Sequence, residues 1–538
     1  MSNLSKKGMM KNILYLILTF YTLTGNGYAD IAWSAPTQIS TSLTDASDPR
    51  IVIDKSGNST AAWIEKNVIM SSSKPNNGKW SSPTAISNPL NTSSSPKLAV
   101  DGSGNVTAIW IENSLIESAT LPFGGNWSAE VSPISSSGVS KPVLTVDSIG
   151  NAVAVWVRNG YIESSTRKSG IWSSVFIISN SNSDNPHVSI SDFGIAVAAW
   201  YSLVSGADSI LSSTLTLSSN TWGTSLNVLA LTPGLKHNYP KIAVDQYGNA
   251  VVAWFRYNLI QASVYENVQV LTTALPNGAI AWGALPTLLS GDGIRDPNDL
   301  LIKLRFDDQG NALAVWTNSY DGETFTLESA QKLIGKSWLL PATLLQSPTI
   351  YSFGMDAAVV DGDVLMTNMA WDGSSSIIIQ SQQTNITNPL LLLWTNTNTF
   401  SKGSNNGYPQ CAMSITGGGT FNSVALWLNR DSSNTVVYAS SGSETEIQPP
   451  LNVSVSQNVN NFGVYQDYYN TITWNASSDP NLIQYNIYRN GIYFGQTDQF
   501  TLKFIDHNQI QNQKVTYAVT ALASDFKQSQ QAIYILFP

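Results

Sequence analysis

Pro49-Arg50-Ile51-Val52-Ile53-Asp54, two variable residues, Gly57-Asn58 and then Trp63 form a phrase that comes back along most of the chain. It returns as Pro96 to Asp101 with Gly104, Asn105 and Trp110, as Pro142 to Asp147 with Gly150, Asn151 and Trp156, and as Pro240 to Asp245 with Gly248, Asn249 and Trp254. Alignment on the tryptophans adds Trp200, Trp316, Trp371 and Trp427, at intervals of 47, 46, 44, 54, 62, 55 and 56 residues. Within a unit, Lys97-Leu98-Ala99-Val100 and Val106-Thr107-Ala108-Ile109-Trp110 flank a short polar turn and read as a β-hairpin. The turn aspartate can accept bonds from backbone amides, and the glycine supplies the positive φ that a side chain resists. A third strand carries Leu115-Ile116-Glu117-Ser118 or Tyr161-Ile162-Glu163-Ser164, and a fourth starts at a second tryptophan such as Trp80, Trp127, Trp172, Trp222, Trp282, Trp338 or Trp394. Four strands in about 45 to 60 residues fit one propeller blade rather than a helical repeat. The expected fold is therefore all-β, with a propeller of eight four-stranded blades and seven as the nearest alternative, because the unit around Trp371 is the most eroded.

The eighth unit stops after Val436-Val437-Tyr438-Ala439, whereas Ile31-Ala32-Trp33-Ser34 is a fourth strand without a unit of its own. Pairing the two would close the ring and remove open sheet edges. Over residues 30–443 the repeats resemble the exported propeller-repeat proteins of bacteria, and the Asp turns loosely resemble the Asp-box turns of sialidases, with six residues here between Gly and Trp. Residues 444–450, ending in Gln448-Pro449-Pro450, read as a linker. Beyond it, Thr471-Ile472-Thr473-Trp474, Tyr485-Asn486-Ile487-Tyr488-Arg489-Asn490-Gly491 and Val515-Thr516-Tyr517-Ala518-Val519-Thr520-Ala521 resemble a fibronectin type III domain spanning residues 451–538. That resemblance implies a β-sandwich acting as a spacer or recognition module, and Asn490-Gly491 is independently a hairpin-turn signal.

Lys6, Lys7 and Lys11 precede an apolar run from Ile13 to Leu23, so residues 1–29 read as a signal peptide cut after Ala29. Export is expected, to the periplasm, the outer surface or the medium, and no later segment has the roughly 18 apolar residues of a spanning helix. The full chain carries a net charge of −9, and the mature part is more acidic still. On this ground a nucleic-acid or anionic-membrane partner is not expected. Cys411 is the single cysteine, which rules out an intrachain disulfide and reads as a buried inert thiol. His187, His237 and His507 lie too far apart in sequence to suggest a metal site, and no cofactor is expected.

Turn aspartates Asp54, Asp101, Asp147, Asp245 and Asp307 each bring one regular carboxylate, short of the six to eight oxygens that calcium takes, so they read as turn caps. Glu117, Glu163 and Glu328 recur at one place in the third strand, where other units have Met70, Gln261, Gln380 and Tyr438. Copies related by repeat symmetry stand apart around a ring, whereas glycosidases need converging carboxylates. Arg50, Arg158, Arg256, Arg305 and Arg430 come singly, with Arg50 and Arg305 near blade starts and facing a channel. Asymmetry points instead to the later units, where extra residues fall at Tyr201 to Asp208, Leu229 to Asn238, Leu285 to Leu300, Asn318 to Thr324 and Ala342 to Met355. These loops are expected on one face, and Asp292, Arg295, Asp296, Asp299, Tyr320, Asp321 and Glu323 are the candidate ligand-binding residues. The expected function is a monomeric, non-enzymatic binding protein for a glycan or protein; the alternative is a carbohydrate-active hydrolase or lyase of sialidase-like architecture.

Overall fold

The computed structural model describes residues 31–536 apart from 42, 129–132, 229–233, 262–263, 284, 296–300, 320–325, 340–341, 347–353, 372–376, 387–393, 402–405, 417–420, 431–433, 445–448, 479–481, 524–528 and 530. The segment read as a signal peptide lies outside this set. Every described element is a strand, and no helix is long and apolar enough to cross a membrane among the described residues. The chain divides into two compact units, Trp33–Ser443 and Glu444–Pro538 with the first 32 residues.

In the larger unit, the described residues form eight antiparallel sheets of three to five strands that follow one another along the sequence. Each begins with an inner strand: β1 (Ala46–Ile53), β2 (Ser93–Val100), β3 (Val139–Val146), β4 (Ser183–Ile190), β5 (Lys236–Val244), β6 (Ile302–Phe306), β7 (Met355–Val360) and β8 (Asn406–Ile415). Each inner strand touches the inner strands of the sheets on either side, and β1 touches both β2 and β8, so the cycle of contacts closes. That is the arrangement of a β-propeller. The last sheet also holds two N-terminal strands: Ile31–Trp33 lies beside Val436–Glu444, and Thr37 and Gln38 pair with Ala439 and Tyr438.

Why proline opens the repeat is visible in the register. The ladder slips between Ser47 and Arg50, Ser94 and Lys97, Ser140 and Val143, Asp184 and His187, Asn238 and Lys241, and Gly407 and Gln410. At each slip a non-glycine residue (Asp48, Ser95, Lys141, Asn185, Tyr239 or Tyr408) sits at φ between 47° and 56°, immediately before the proline. Proline has no N–H to give, so it fits where a bulge has already broken the ladder. The bulge also re-aims the side chain that follows.

Between sheets the core is aromatic. Trp63, Trp110, Trp156, Trp200, Trp254, Trp316 and Trp427 are all at most 1% exposed. In the sheet of β7 the pattern departs from expectation: Gln380 faces Asn368, which is fully buried where the other sheets have tryptophan, and Trp371 is the last residue of its strand, opposite Ile377. Gln261 is also not on a third strand; it ends the second strand Ala250–Gln261, and Leu271 stands opposite Trp254. The second tryptophans mostly precede or end very short outer pairings such as Thr84–Ala85 and Ile171–Trp172, and four of their indoles bridge to the previous sheet. Trp127 donates to Ser71 at 3.2 Å, Trp172 to Ser118 at 3.0 Å, Trp282 to Ser212 at 2.7 Å and Trp394 to Ser329 at 3.1 Å.

The smaller unit contains β9 (Leu451–Asn461), β10 (Gln466–Asn475), β11 (Leu482–Arg489), β12 (Ile492–Asp498), β13 (Lys503–Gln509), β14 (Val515–Ala523) and β15 (Ala532–Leu536). They form two antiparallel sheets, in the orders β9-β10-β13 and β12-β11-β14-β15. Ile472, Trp474, Tyr485, Ile487, Tyr517 and Val519 fill the space between them. Asn490 and Gly491 at φ 52° and 80° make the tight turn from β11 to β12, as an Asn-Gly pair does in a hairpin.

Candidate functional site

The turn aspartates are occupied within their own turns. Asp54 Oδ1 accepts from the amides of Ser56 and Asn58 at 2.8 and 2.9 Å, and Oδ2 accepts from the Asn58 side chain at 2.8 Å. Asp101, Asp147, Asp245 and Asp307 repeat the pattern. Two of the recurrent glutamates hold the interior together. Glu163 accepts from the Trp156 indole at 3.0 Å and pairs with Arg158 at 2.6 Å, while Glu328 accepts from Trp316 at 2.7 Å and Asn318 at 3.1 Å. No group of three or more His, Cys, Asp or Glu suited to a metal ion occurs among the described residues.

The loop face is built differently from the sequence expectation. Tyr201 to Asp208 is a continuation of two strands paired up to Val204 and Ala207, with the Tyr201 hydroxyl donating to Asp208 at 3.0 Å. Gly293–Arg295 is an extra strand on Val264–Leu275, with Arg295 opposite Tyr265, and Ala342–Gln346 is the outer strand of the β6 sheet. Short edge strands lack a period long enough to be read, so these stretches resembled inserted loops. Asp292 is exposed and accepts a hydrogen bond from Gln269, whose amide oxygen accepts from Arg256 Nε at 2.8 Å. Asp296, Asp299, Tyr320, Asp321 and Glu323 lie outside the described residues. Asp292 belongs to a chain of bonds within its own sheet.

A different cluster stands at the centre of the ring. The inner-strand residue paired with the one preceding the core tryptophan is Arg50, Lys97, Val143, His187, Lys241, Lys303 and Gln410, and its counterpart on β7 is Asp356, paired with Thr367 before Asn368. Arg305 follows two residues after Lys303 on β6, on the same side of the strand. Arg50 Nε donates to the Pro96 carbonyl at 3.2 Å, and Arg305 Nε to the Ala357 carbonyl at 3.0 Å, each reaching the next inner strand. Lys303 pairs with Asp356 at 3.0 Å and Arg305 with the same carboxylate at 3.5 Å, while Arg50 pairs with Asp48.

Electrostatics show that these groups share one space. Burial, then Arg50, pushes the Lys97 amine down to about 7, with Lys241 and Lys303 adding to the depression and Asp48 opposing it. Lys241 and Lys303 stand three and four sheets away around the ring, so they act on Lys97 across its centre. Burial, with Lys303 and Arg305, lowers Lys241 to about 8. His187 is held neutral well below its usual range by burial and by Lys241, Arg305 and Lys303, and its Nδ1 accepts from the Ile242 amide at 3.3 Å. Burial raises the Asp356 carboxyl, but Lys303 and Arg305 outweigh it and the group stays ionised below the ordinary range. Cys411, buried beside it, has a thiol pushed up to about 12 by burial and then by Asp356.

The two ends of this channel differ. Where the inner strands begin, the bulge residues form the rim, among them Tyr408, 63% exposed, and Lys141, which pairs with Asp184 at 2.7 Å. Where they end, a cavity of about 410 Å³ is lined by residues of seven of the eight sheets, including Asp54, Asp101, Asp147, Asp192 and Asp308 with Lys55. That volume is in the range of small-ligand sites. The sequence reading placed Arg50 and Arg305 at the channel but took them singly; Lys97, Lys241, Lys303 and Asp356 were missed. The available signal was their common offset, four residues before the turn aspartate in Arg50, Lys97, Lys241 and Lys303.

No family model and no curated protein matches this chain. Among solved structures, a polysaccharide lyase described as an ulvan lyase bound to -[GlcA(1-4)Rha3S]- aligns at TM-score 0.42 and 10% identity over 77% of this chain and 94% of that one. The fucose-binding lectin of Aleuria aurantia aligns at 0.33 and 12% identity, covering 57% and 97%. An α-L-arabinanase of Penicillium chrysogenum aligns at 0.32 and 12%, covering 54% and 88%.

Proposed function

We propose that this protein is an exported, non-enzymatic glycan-binding protein: an eight-bladed propeller completed by its leading strands, with a fibronectin type III-like spacer at residues 451–538. Residues 1–29 are its removed signal peptide, and it acts outside the cytoplasm as a monomer. The eight-blade reading is supported by eight successive sheets and the closed cycle of inner-strand contacts. The spacer reading is supported by a sandwich of three and four strands around Trp474 and Tyr517.

The observation that carries the binding role is a break in repetition. The core tryptophan recurs in seven of these sheets and the pre-proline bulge in six, whereas the channel position varies as Arg, Lys, Val, His, Lys, Lys, Asp and Gln. A structural position in equal repeats has no reason to vary in charge, and a site for one asymmetric ligand does. Tyr408 at the rim adds an aromatic face beside polar groups, the pairing on which sugars settle. A glycan array with the purified protein, run beside a product assay on bound glycans, tests this. Binding without turnover is expected; absence of any bound glycan overturns it.

One observation favours the alternative of a carbohydrate-active hydrolase or lyase: an amine depressed to about 7 is suited to exchange protons near neutrality. Turnover abolished by Lys97→Met would establish that reading in place of the first.

A further inference from the structure

The central channel carries Arg50, Lys97, Lys241, Lys303 and Arg305 against Asp48 and Asp356, an excess of positive charge inside a chain whose net charge is −9. Holding like charges together in a partly dehydrated space is unfavourable unless something of opposite sign occupies it. Asp356 is paired with Lys303 and Arg305 and Asp48 with Arg50, so among the described residues Lys97 on β2 feels Asp48 without an ion pair of its own and Lys241 on β5 is in none. We propose that the channel is a binding site for an acidic oligosaccharide, one whose carboxylate or sulfate lies among Lys97, Lys241, Lys303 and Arg305.

Three features choose this chemistry. First, the acidic exterior repels dense polyanions at long range, while at physiological ionic strength the belt acts only within a Debye length of about 8 Å. The ligand therefore carries sparse anionic groups. Second, the cavity at the far mouth is ringed by Asp54, Asp101, Asp147, Asp192 and Asp308. That mouth lies three or four residues further along the same strands, roughly 10 to 13 Å. Asp54, Asp101 and Asp147 keep their bonds within their turns, and the negative charge these carboxylates bring to that mouth rejects a second anion. Third, the span exceeds one sugar ring, so an oligosaccharide with an acidic residue at one end and neutral hydroxylated residues towards the other satisfies both mouths.

The inference rests on the glycan-binding reading, and its test separates the two. Titration calorimetry on the full chain would use a glucuronate-bearing tetrasaccharide, its carboxyl-reduced neutral counterpart, a sulfated tetrasaccharide and a glutamate-rich peptide. The acidic sugars are expected to bind at least tenfold more tightly than the neutral one; the better of carboxylate and sulfate identifies the group. Lys303→Met and Lys241→Met are expected to weaken that binding at least tenfold, while exposed Lys336→Met leaves it unchanged. Lys241→Met, which removes a repelled charge with no carboxylate partner among the ion pairs of the described residues, is also expected to raise the melting temperature of the free protein, whereas Lys303→Met leaves Asp356 to Arg305 alone and is shown to fold by an unchanged circular dichroism spectrum. A residue needed only for structure would not combine higher stability with lost affinity.

Affinity is expected to fall between pH 6 and 9 as Lys97 and Lys241 lose their protons. The charged groups facing Lys97 are Arg50 and Asp48 on β1, Lys241 on β5 and Lys303 on β6, with Ile109 beside it in its own sheet. Those facing Lys241 are Lys303 and Arg305 on β6, with His187 on β4 neutral. Equal binding of the neutral sugar overturns the inference and leaves glycan binding standing. Equal binding of the peptide overturns the sugar assignment. No binding of any probe, together with an empty array, overturns both.

Discussion

Asp147 takes three hydrogen bonds at 2.8 to 3.1 Å from Ile149 and Asn151 while 2% exposed, and such a residue has no cheap replacement. Asp147→Ala leaves two amides and a side-chain donor without their acceptor, so a loss of about 2 to 3 kcal/mol is expected by urea unfolding. Gly150 in the same turn, at φ +88°, would place a Cβ 2.9 Å from Asp101 Oδ2, and Gly150→Ala is expected to be as damaging. These turns were legible because their chemistry is local: acceptor, donors and glycine lie within five residues. The channel lysines were not, because their partners stand a whole unit or more away in sequence and the acidic total hides them. Their linkage to stability has a definite sign. Between pH 7 and 10 the unfolded chain keeps protons on Lys97 and Lys241 that the folded chain, with values of about 7 and 8, has begun to release. The unfolded state binds more protons, so stability rises with pH across that window. Denaturant midpoints at pH 7 and 9.5 check this, and the rise should shrink in a Lys97→Met, Lys241→Met double variant.

At the scale of elements, the inner strand is marked by a recurring defect. Six inner strands place a side-chain-bearing residue in the left-handed region before proline, a conformation that costs on the order of 1 kcal/mol without glycine. Ser95→Gly is therefore expected to raise stability by up to about 1 kcal/mol in thermal unfolding. The bulge residue stands two positions before the channel residue in Arg50, Lys97, Val143, His187, Lys241 and Gln410. Hairpins of seven or more residues were readable from alternation and tryptophan phase. Outer strands of two or three residues were not, since a pair such as Thr287–Leu288 or Thr84–Ala85 carries no period. The β7 sheet shows the same limit from another side. Trp371 matched the repeat by spacing, yet the hairpin register puts Asn368 in the core place, because a two-residue turn at Asp361 and Gly362 replaces the five-residue one and shifts the phase.

For the whole molecule, the decisive contacts are those that join its first described strands to its last sheet. Ser34 N donates to Ser441 O at 2.8 Å, Ser440 Oγ donates to Ser34 O at 2.7 Å, and Ile31 and Ile39 are buried. Removing residues 31–38 exposes the edge of Val436–Glu444, so a lower melting temperature and concentration-dependent self-association are expected in calorimetry and light scattering. The all-β class and the repeat were legible from the sequence, since both follow from periodicity; the central cluster of charges was not, since it exists only once distant units face one another. Ser34 and Ser440 lie 406 residues apart, and ribosomes deliver the first strand long before its partner exists. The ring consequently has a built-in order of completion. The leading segment waits unpaired until the last sheet of the larger unit has been made, so joining strands that stand 406 residues apart is expected to be the slow step of that unit's folding.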